Sequence, residues 1–228
     1  NNDRIIGGID KSSSVIASKF YKEFVTGEIY LTDSKTAELS KLAENSFRDV
    51  NIAFANELSM VCEDLGVNIW ELIDLANKHP RVNILQPGPG VGGHCIAIDP
   101  WFIVDSAPNS SGLIKKARQV NDIKPSKVLE NVVSVAASIG EISSLSITTL
   151  GLSFKKNIDD LRESPAMKIT KEISKMKFKS HYIVEPNIKS LPSDFDDVES
   201  EICNLDHGIS KADILLLLVD HDEFLSLK

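Results

Sequence analysis

The stretch QPGPGVGGHC, residues 86–95, places four glycines and two prolines directly before a cysteine. Glycine lets a backbone fold closely around a ligand. A cysteine at the end of such a loop, a few residues before a helix, is placed for nucleophilic attack, because helix N-terminal amides favour a thiolate. Asp99-Pro100 reads as the cap and first residue of that helix. Cys62 and Cys203 lie in apolar periodic segments and read as structural cysteines. His94 beside Cys95 has no second ligand pair at a zinc-binding spacing, so no metal is expected.

Two further groups of residues could do chemistry. Lys41, Asn45 and Arg48 stand at i, i+4 and i+7 of a helical pattern and share one face. On a helix with apolar residues over much of its circumference, a ligand rich in oxygens would satisfy that stripe. A solvated face with a Glu44–Arg48 pair is the plainer alternative. The segment GLSFKKNIDDLRESPA follows an apolar strand, where α/β proteins bind ligands. It is not a GxGxxG fingerprint. It offers Lys155, Lys156 and Arg162, with Phe154 as a stacking surface, which suits a nucleotide phosphate. The alternative is a charged surface loop in which Asp159 and Asp160 neutralise the lysines.

The elements that must position these residues fall into three segments. Residues 1–33 read strand, helix, strand (RIIGGI, SSSVIASKFYKEFV, EIYLTD), too few to bury a parallel sheet alone. Residues 34–140 read all-helical. A long helix is capped by Asp33 or Ser34 and stopped by Gly66, and a second opens at Asn68 with Glu71 as capping-box partner. After the loop 78–98, helical stretches follow near 112–121 and 125–139. Residues 141–228 read βαβαβ, with SLSITTLGL, SHYIVEP and DILLLLVD as strands. The helix between the first two opens at Ser164-Pro165, and VESEICNLDHGISKA reads as the other helix. The fold class is therefore α/β: a helical central domain, then a Rossmann-like sheet domain that carries the phosphate-binding segment.

Composition narrows the function. A net charge of −8 over 228 residues argues against nucleic acid. No apolar run reaches the ~18 residues of a membrane span, so no membrane association is expected. Three widely spaced cysteines suit a reducing, cytoplasmic setting.

KLAENSFRDVNIAFANEL, HPRVNILQPGPGVGGHCIAIDPWFI and GLSFKKNIDDLRESPA closely resemble the UDP-glucose/GDP-mannose dehydrogenase family, in order and spacing, over nearly the whole chain. The form HPRVN…PGPGVGGHC points to the branch acting on a UDP-N-acetylhexosamine, N-acetylmannosamine ahead of N-acetylglucosamine or glucose. The resemblance implies an N-terminal Rossmann domain for NAD, of which residues 1–33 would be the C-terminal remnant. It further implies a central homodimerisation domain at 34–140 and an incomplete UDP-binding domain at 141–228. On that plan the chain is a fragment of a longer enzyme of cell-surface polysaccharide synthesis.

Carried over position by position, the resemblance makes Cys95 the nucleophile, Lys41 the catalytic lysine and Asp99 an active-site aspartate. Asn45 and Arg48 would bind substrate beside Lys41. His79, Arg81 and Gly92 would contact the sugar nucleotide; in relatives the arginine at the place of Arg81 reaches into the neighbouring subunit's site. Phe154 and Lys155 would hold UDP, and Arg162 would contact NAD. Relatives acting on UDP-glucose carry a lysine just before the aspartate; Ile98 stands there, so no NAD contact is assigned to it.

The implied chemistry is a four-electron oxidation at C6 of the sugar with two NAD⁺, through a thiohemiacetal and a thioester on Cys95. Lys41 would stabilise the oxyanion, and Asn45 would donate a further hydrogen bond. A rival from another class is a sugar-nucleotide-binding or dimerisation module without catalysis, which the missing NAD fingerprint favours for the isolated chain. A cysteine hydrolase is a third reading, but no His-Asp or His-Asn pairing is legible beside Cys95.

Overall fold

The computed structural model describes residues 2–226. Strand β1 (Arg4–Gly8), helix α1 (Lys11–Lys22) and strand β2 (Ile29–Asp33) form a parallel pair with one crossover helix. Helix α2 (Ser34–Leu65) starts where Asp33 accepts the Thr36 amide and ends at Gly66, whose backbone is left-handed. Helix α3 (Ile69–Ala76) is capped by Asn68, which accepts from the Trp70 and Glu71 amides. After the glycine loop come α4 (Asp99–Ser106) and α5 (Gly112–Ile139).

A four-stranded parallel sheet follows, ordered β5-β4-β3-β6. Its strands are β3 (Ser146–Leu150), β4 (Ser180–Val184), β5 (Glu201–Ile202) and β6 (Ile214–Leu217). Helices α6 (Pro165–Ser174) and α7 (Leu205–Lys211) make the crossovers. One sheet face packs Leu145, Ile147 and Ile214 against Val132 and Ala136 of α5 and Ala166, Ile169 and Ile173 of α6. The other face meets α7, where Thr148 Oγ1 donates to the Gly208 carbonyl at 2.8 Å. The chain runs from β3 outward to β4 and β5, then returns to lay β6 on the far side of β3. The crevice beyond the C-terminal ends of β3 and β6 is thus a topological switch point, where open α/β sheets take ligands.

Three expectations about local structure are corrected. The stretches near 112–121 and 125–139 are one helix, with Pro125 inside it. Proline there forfeits one helical hydrogen bond and costs about 3 kcal/mol. Burial of Ala117, Val120, Val132 and Ala136 on either side outweighs it. Asp99 does not cap α4; it is the first helical residue, because Ile98 already has helical dihedrals. The segment from Val198 is not a continuous helix. Glu201–Ile202 adds a fourth strand beside β4, and Asn204 opens α7 by accepting the His207 amide.

The long helix turns a largely polar and small-residue face inward. Its buried residues are Asn45, Ser46, Asp49, Ala53, Ala55, Asn56 and Cys62. Phe47, Phe54, Val61 and Leu65, which share a face at the helical repeat, are all exposed.

Candidate active site

The cysteine turn is built by backbone hydrogen bonds. The Cys95 carbonyl accepts from the Ile98 amide at 3.1 Å and from the Asp99 amide at 2.8 Å. The first amides of the helical turn are therefore spent on the carbonyl of Cys95, not on its thiol. The thiol group belongs to an exposed residue, whereas Cys62 is buried. Cys203 is half-buried, and burial pushes its thiol up.

The α2 stripe reaches this turn through one residue. Asn45, almost fully buried, donates from Nδ2 to Asp99 Oδ2 at 2.6 Å. Lys41 and Arg48, one turn either side, are exposed. Lys41 pairs with Glu44 at 3.0 Å, so the plainer expectation of a Glu44–Arg48 pair is replaced by a Lys41–Glu44 one. The Arg48 side chain has no polar partner among the described residues.

The glycine loop lies directly on the third motif. A Cβ at Gly92 would stand 2.5 Å from the Glu163 carbonyl oxygen and 2.9 Å from Phe154 Cβ. Gly93, at φ +82°, would meet the Phe154 ring at 3.2 Å. Both positions therefore require glycine, one for close approach and one for a left-handed backbone as well. His94 is near enough to Asp160 and Glu163 to act on both electrostatically.

The segment after β3 sits at the switch point. Lys155 is exposed, and its ammonium has no partner among the described residues. Arg162 is held instead by Asp160, with Nε donating at 2.9 Å and Nη2 at 2.7 Å; this pairing holds the Asp160 carboxyl at about 2. Asp160 thus neutralises the arginine rather than a lysine, and Lys156 lies 3.7 Å from Asp222 instead. His79 and Arg81 lie exposed in the turn after α3, where the Arg81 amide donates to His79 Nδ1 at 3.3 Å. Among the described residues they join neither the cysteine turn nor the Phe154 loop by any hydrogen bond.

Two polar networks behind the site are not legible as motifs. In the first, Arg118 of α5 is buried against Asp49 of α2 and bonds Asp122 as well. Burial pushes the Asp49 carboxyl up, against the pull of the Arg118 guanidinium. Asn121 donates to Asp49 Oδ1 at 2.8 Å and accepts from Asn56 at 2.9 Å. Asn56 in turn accepts the Gly88 amide at 2.9 Å, so the network ends on the glycine loop. The available signal was Asp49, Ala53 and Asn56 at core spacing, polar residues in helical phase with a small one.

In the second network, Glu185 at the end of β4 and His221 after β6 are both fully buried and lie 3.0 Å apart. Burial raises the cost of charge on Glu185, but the Leu152 and Asn187 amides outweigh it and hold its carboxyl below the usual value. The signal was a lone acidic residue directly after an apolar strand. A groove of about 970 Å³ runs beside these elements, lined by Gln86–Gly90, Lys124, Phe154, Lys155 and the β6 edge.

The first strand-to-helix turn is where a dinucleotide would be held. β1 leads through Gly7-Gly8-Ile9 to Asp10, whose carboxylate takes the Ser13 amide at 2.7 Å. A pyrophosphate needs such amides open and no carboxylate beside them, so this turn does not fit it. Arg162 is the one residue assigned to NAD, and Asp160 already holds it. Among the described residues no cluster of three or more metal-binding side chains occurs, and no helix is long and apolar enough to cross a membrane.

Fold and site together define an α/β protein whose helical segment presses a cysteine-bearing glycine loop onto the ligand edge of a parallel sheet. Residues 35–123 match the central domain of the UDP-glucose/GDP-mannose dehydrogenase family, and residues 148–228 match its UDP-binding domain. The chain is 56% identical to an NDP-N-acetyl-D-galactosaminuronic acid dehydrogenase of Ralstonia solanacearum, over 98% of this chain and 52% of that protein. It is 55% identical to a UDP-N-acetyl-D-mannosamine dehydrogenase of Salmonella typhi, over 98% of this chain and 54% of the relative. The structure of a UDP-D-ManNAc dehydrogenase from Pyrococcus horikoshii superposes with a TM-score of 0.85 at 38% identity, covering 97% of this chain and 51% of that one. The chain belongs to the UDP-glucose/GDP-mannose dehydrogenase family, whose relatives above are named as nucleotide-sugar dehydrogenases. It spans about half the length of those curated relatives.

Proposed function

We propose that the chain carries the catalytic cysteine and the UDP site of an NAD-dependent dehydrogenase that oxidises the C6 hydroxyl of a UDP-N-acetylhexosamine to the carboxylate. N-acetylmannosamine is the first choice of sugar, from the form of the glycine loop and from relatives named for it. A relative named for N-acetylgalactosaminuronic acid, of similar identity, keeps other epimers in the comparison. The observation that carries this reading is the convergence of three motifs: Asn45 bonds Asp99 beside Cys95, and the glycine loop that ends in Cys95 rests on Phe154.

The residues divide the work as follows. Phe154 stacks on the base, and Lys155 meets the diphosphate by charge-assisted hydrogen bonds. Arg48, His79, Arg81 and Gly92 contact the sugar nucleotide, with Arg81 acting at the neighbouring subunit's site. Two NAD⁺, bound in turn, would each accept one hydride. Oxidation of the alcohol gives an aldehyde, and the Cys95 thiolate adds to its carbon as a thiohemiacetal. Oxidation of that adduct gives a thioester, which water cleaves to carboxylate and free thiol. Lys41, released from Glu44, supplies positive charge to the oxyanion, and Asn45, held by Asp99, presents its amide there. The 34–140 segment forms the homodimer through the exposed face of α2, and 141–228 holds UDP. Such an enzyme would act in the cytoplasm, supplying a uronate for surface polysaccharide.

The β1–α1 turn favours a second reading for the chain by itself: a sugar-nucleotide-binding and dimerisation module without turnover. Calorimetry with UDP and with NAD⁺ tests both. UDP should bind in the ~10 μM to mM range, about −4 to −7 kcal/mol. Lys155→Ala should weaken it sharply, and Cys95→Ser should leave it unchanged. Tighter binding of NAD⁺ than of UDP would overturn the placement of the two ligands.

A further inference from the structure

We infer that Glu185 and His221 are positioning residues that clamp the nucleotide loop from both of the strands flanking β3. The inference rests on the reading that Phe154 and Lys155 receive UDP. Glu185 Oε2 takes the Leu152 amide at 2.7 Å and the Ser153 amide at 3.2 Å, which fixes the start of the loop. His221 Nδ1 takes the Asn157 amide at 2.9 Å, which fixes its end. Accepting at Nδ1 leaves Nε2 as the donor to Glu185 Oε2 at 3.0 Å, so the two anchors are themselves joined.

The neighbouring residue completes the grip. Asp222 accepts from Asn157 Nδ2 at 2.7 Å, and its amide donates to Asn157 Oδ1 at 3.0 Å. Asn157 is held at φ +59°, a conformation asparagine tolerates and most side chains resist. Between the anchors lie only Phe154, Lys155 and Lys156. Inside, Ser153 Oγ donates to the Lys155 carbonyl at 2.8 Å.

Burying a carboxylate and an imidazole is costly unless each is fully bonded. Here both make bonds to loop backbone, Glu185 at Leu152 and Ser153 and His221 at Asn157. The amides of Leu152, Ser153 and Asn157 are thereby occupied, so UDP meets a preformed loop without drawing on them. Releasing either anchor leaves Lys155 in place but adds the ordering of the loop to the cost of binding.

Two substitutions at one position separate this role from bulk stability. In His221→Asn the side-chain oxygen stands near the position of Nδ1 and still accepts the Asn157 amide. In His221→Gln the terminal amide stands near Nε2, keeps the bond to Glu185 and abandons Asn157. By calorimetry with UDP, His221→Gln should weaken binding about tenfold, and His221→Asn by much less. Hydrogen exchange at the Asn157 amide should speed up in His221→Gln only. Equal weakening in both variants, or wild-type affinity in His221→Gln, overturns the clamp. Lys155→Ala in the same series isolates the underlying reading. If UDP fails to bind the wild type, or binds Lys155→Ala unchanged, the placement of UDP is wrong and the clamp falls with it. If Lys155→Ala weakens binding and His221→Gln does not, the placement stands and only the clamp is lost.

Discussion

Asn45 and Asp99 are 54 residues apart in sequence and meet through a 2.6 Å hydrogen bond between α2 and the start of α4. That bond fixes the register between the helix bearing Lys41 and the turn bearing Cys95. Asn45→Ala would leave Asp99 with one carboxylate oxygen deprived of its donor in a half-buried setting. The expected loss is about 1–3 kcal/mol of stability, read as a lower urea midpoint with an unchanged slope.

Cys95 should alkylate several times faster than Cys203, and Cys62 slowest of all. The order follows exposure: Cys95 is exposed, Cys203 half-buried with its thiol pushed up, and Cys62 enclosed by the helical core. Mass mapping after brief iodoacetamide treatment of the folded chain checks it. Equal labelling of all three would sink the assignment of Cys95 as the accessible nucleophile.

Gly92→Ala should destabilise the chain by about 1–3 kcal/mol, because its Cβ would enter the Glu163 carbonyl and the neighbouring Pro165 ring. The same change should weaken UDP binding, since the glycine loop and the Phe154 loop must separate to admit it. Gly88→Ala, with open space at its Cβ, is the control and should be close to neutral.

Removing one partner of the Asp49–Arg118 pair should cost about 3–5 kcal/mol, the cost of stranding a buried charge. Asp49→Asn, which keeps shape and an acceptor, should cost less than Asp49→Ala. Chemical denaturation orders the variants. Near-neutral effects for both would mean that Asp122, not Asp49, balances Arg118.

His181 gives the fold a defined acid sensitivity. Burial pushes its pKa from 6.5 down to about 4. Between those values the unfolded chain binds more protons than the folded one, so stability falls as pH drops from about 6.5 towards about 4. The full loss corresponds to about 3 kcal/mol, and above pH ~6.5 it vanishes. Unfolding free energies at pH 7 and pH 4.5 should differ less in His181→Asn than in the wild type, whatever its absolute stability.

The stripe of Phe47, Phe54, Val61 and Leu65 should pair α2 with a second copy. Sedimentation should find a dimer at micromolar concentration, and Phe47→Lys should shift it towards monomer. A wild-type monomer at high micromolar concentration would count against the interface.

The sequence by itself determined the elements whose signals are local. Asp33, Asn68 and Ser164 cap the helices they were expected to open, since a cap depends only on the next three residues. The glycine loop, the α2 stripe and the Phe154–Lys155 segment were likewise visible as residue types at fixed spacing. What tertiary structure decided is everything that depends on a distant partner. Pro125 sits inside a helix because packing on both sides exceeds its cost, and Glu201–Ile202 is a strand because β4 offers it an edge. Asp99 turns from capping to Asn45 because α2 brings that amide to it. Glu185 and His221 carried no motif, because the loop amides they hold lie 32 or more residues away. Backbone amides are the same in every sequence, so only the fold could show which side chains hold them.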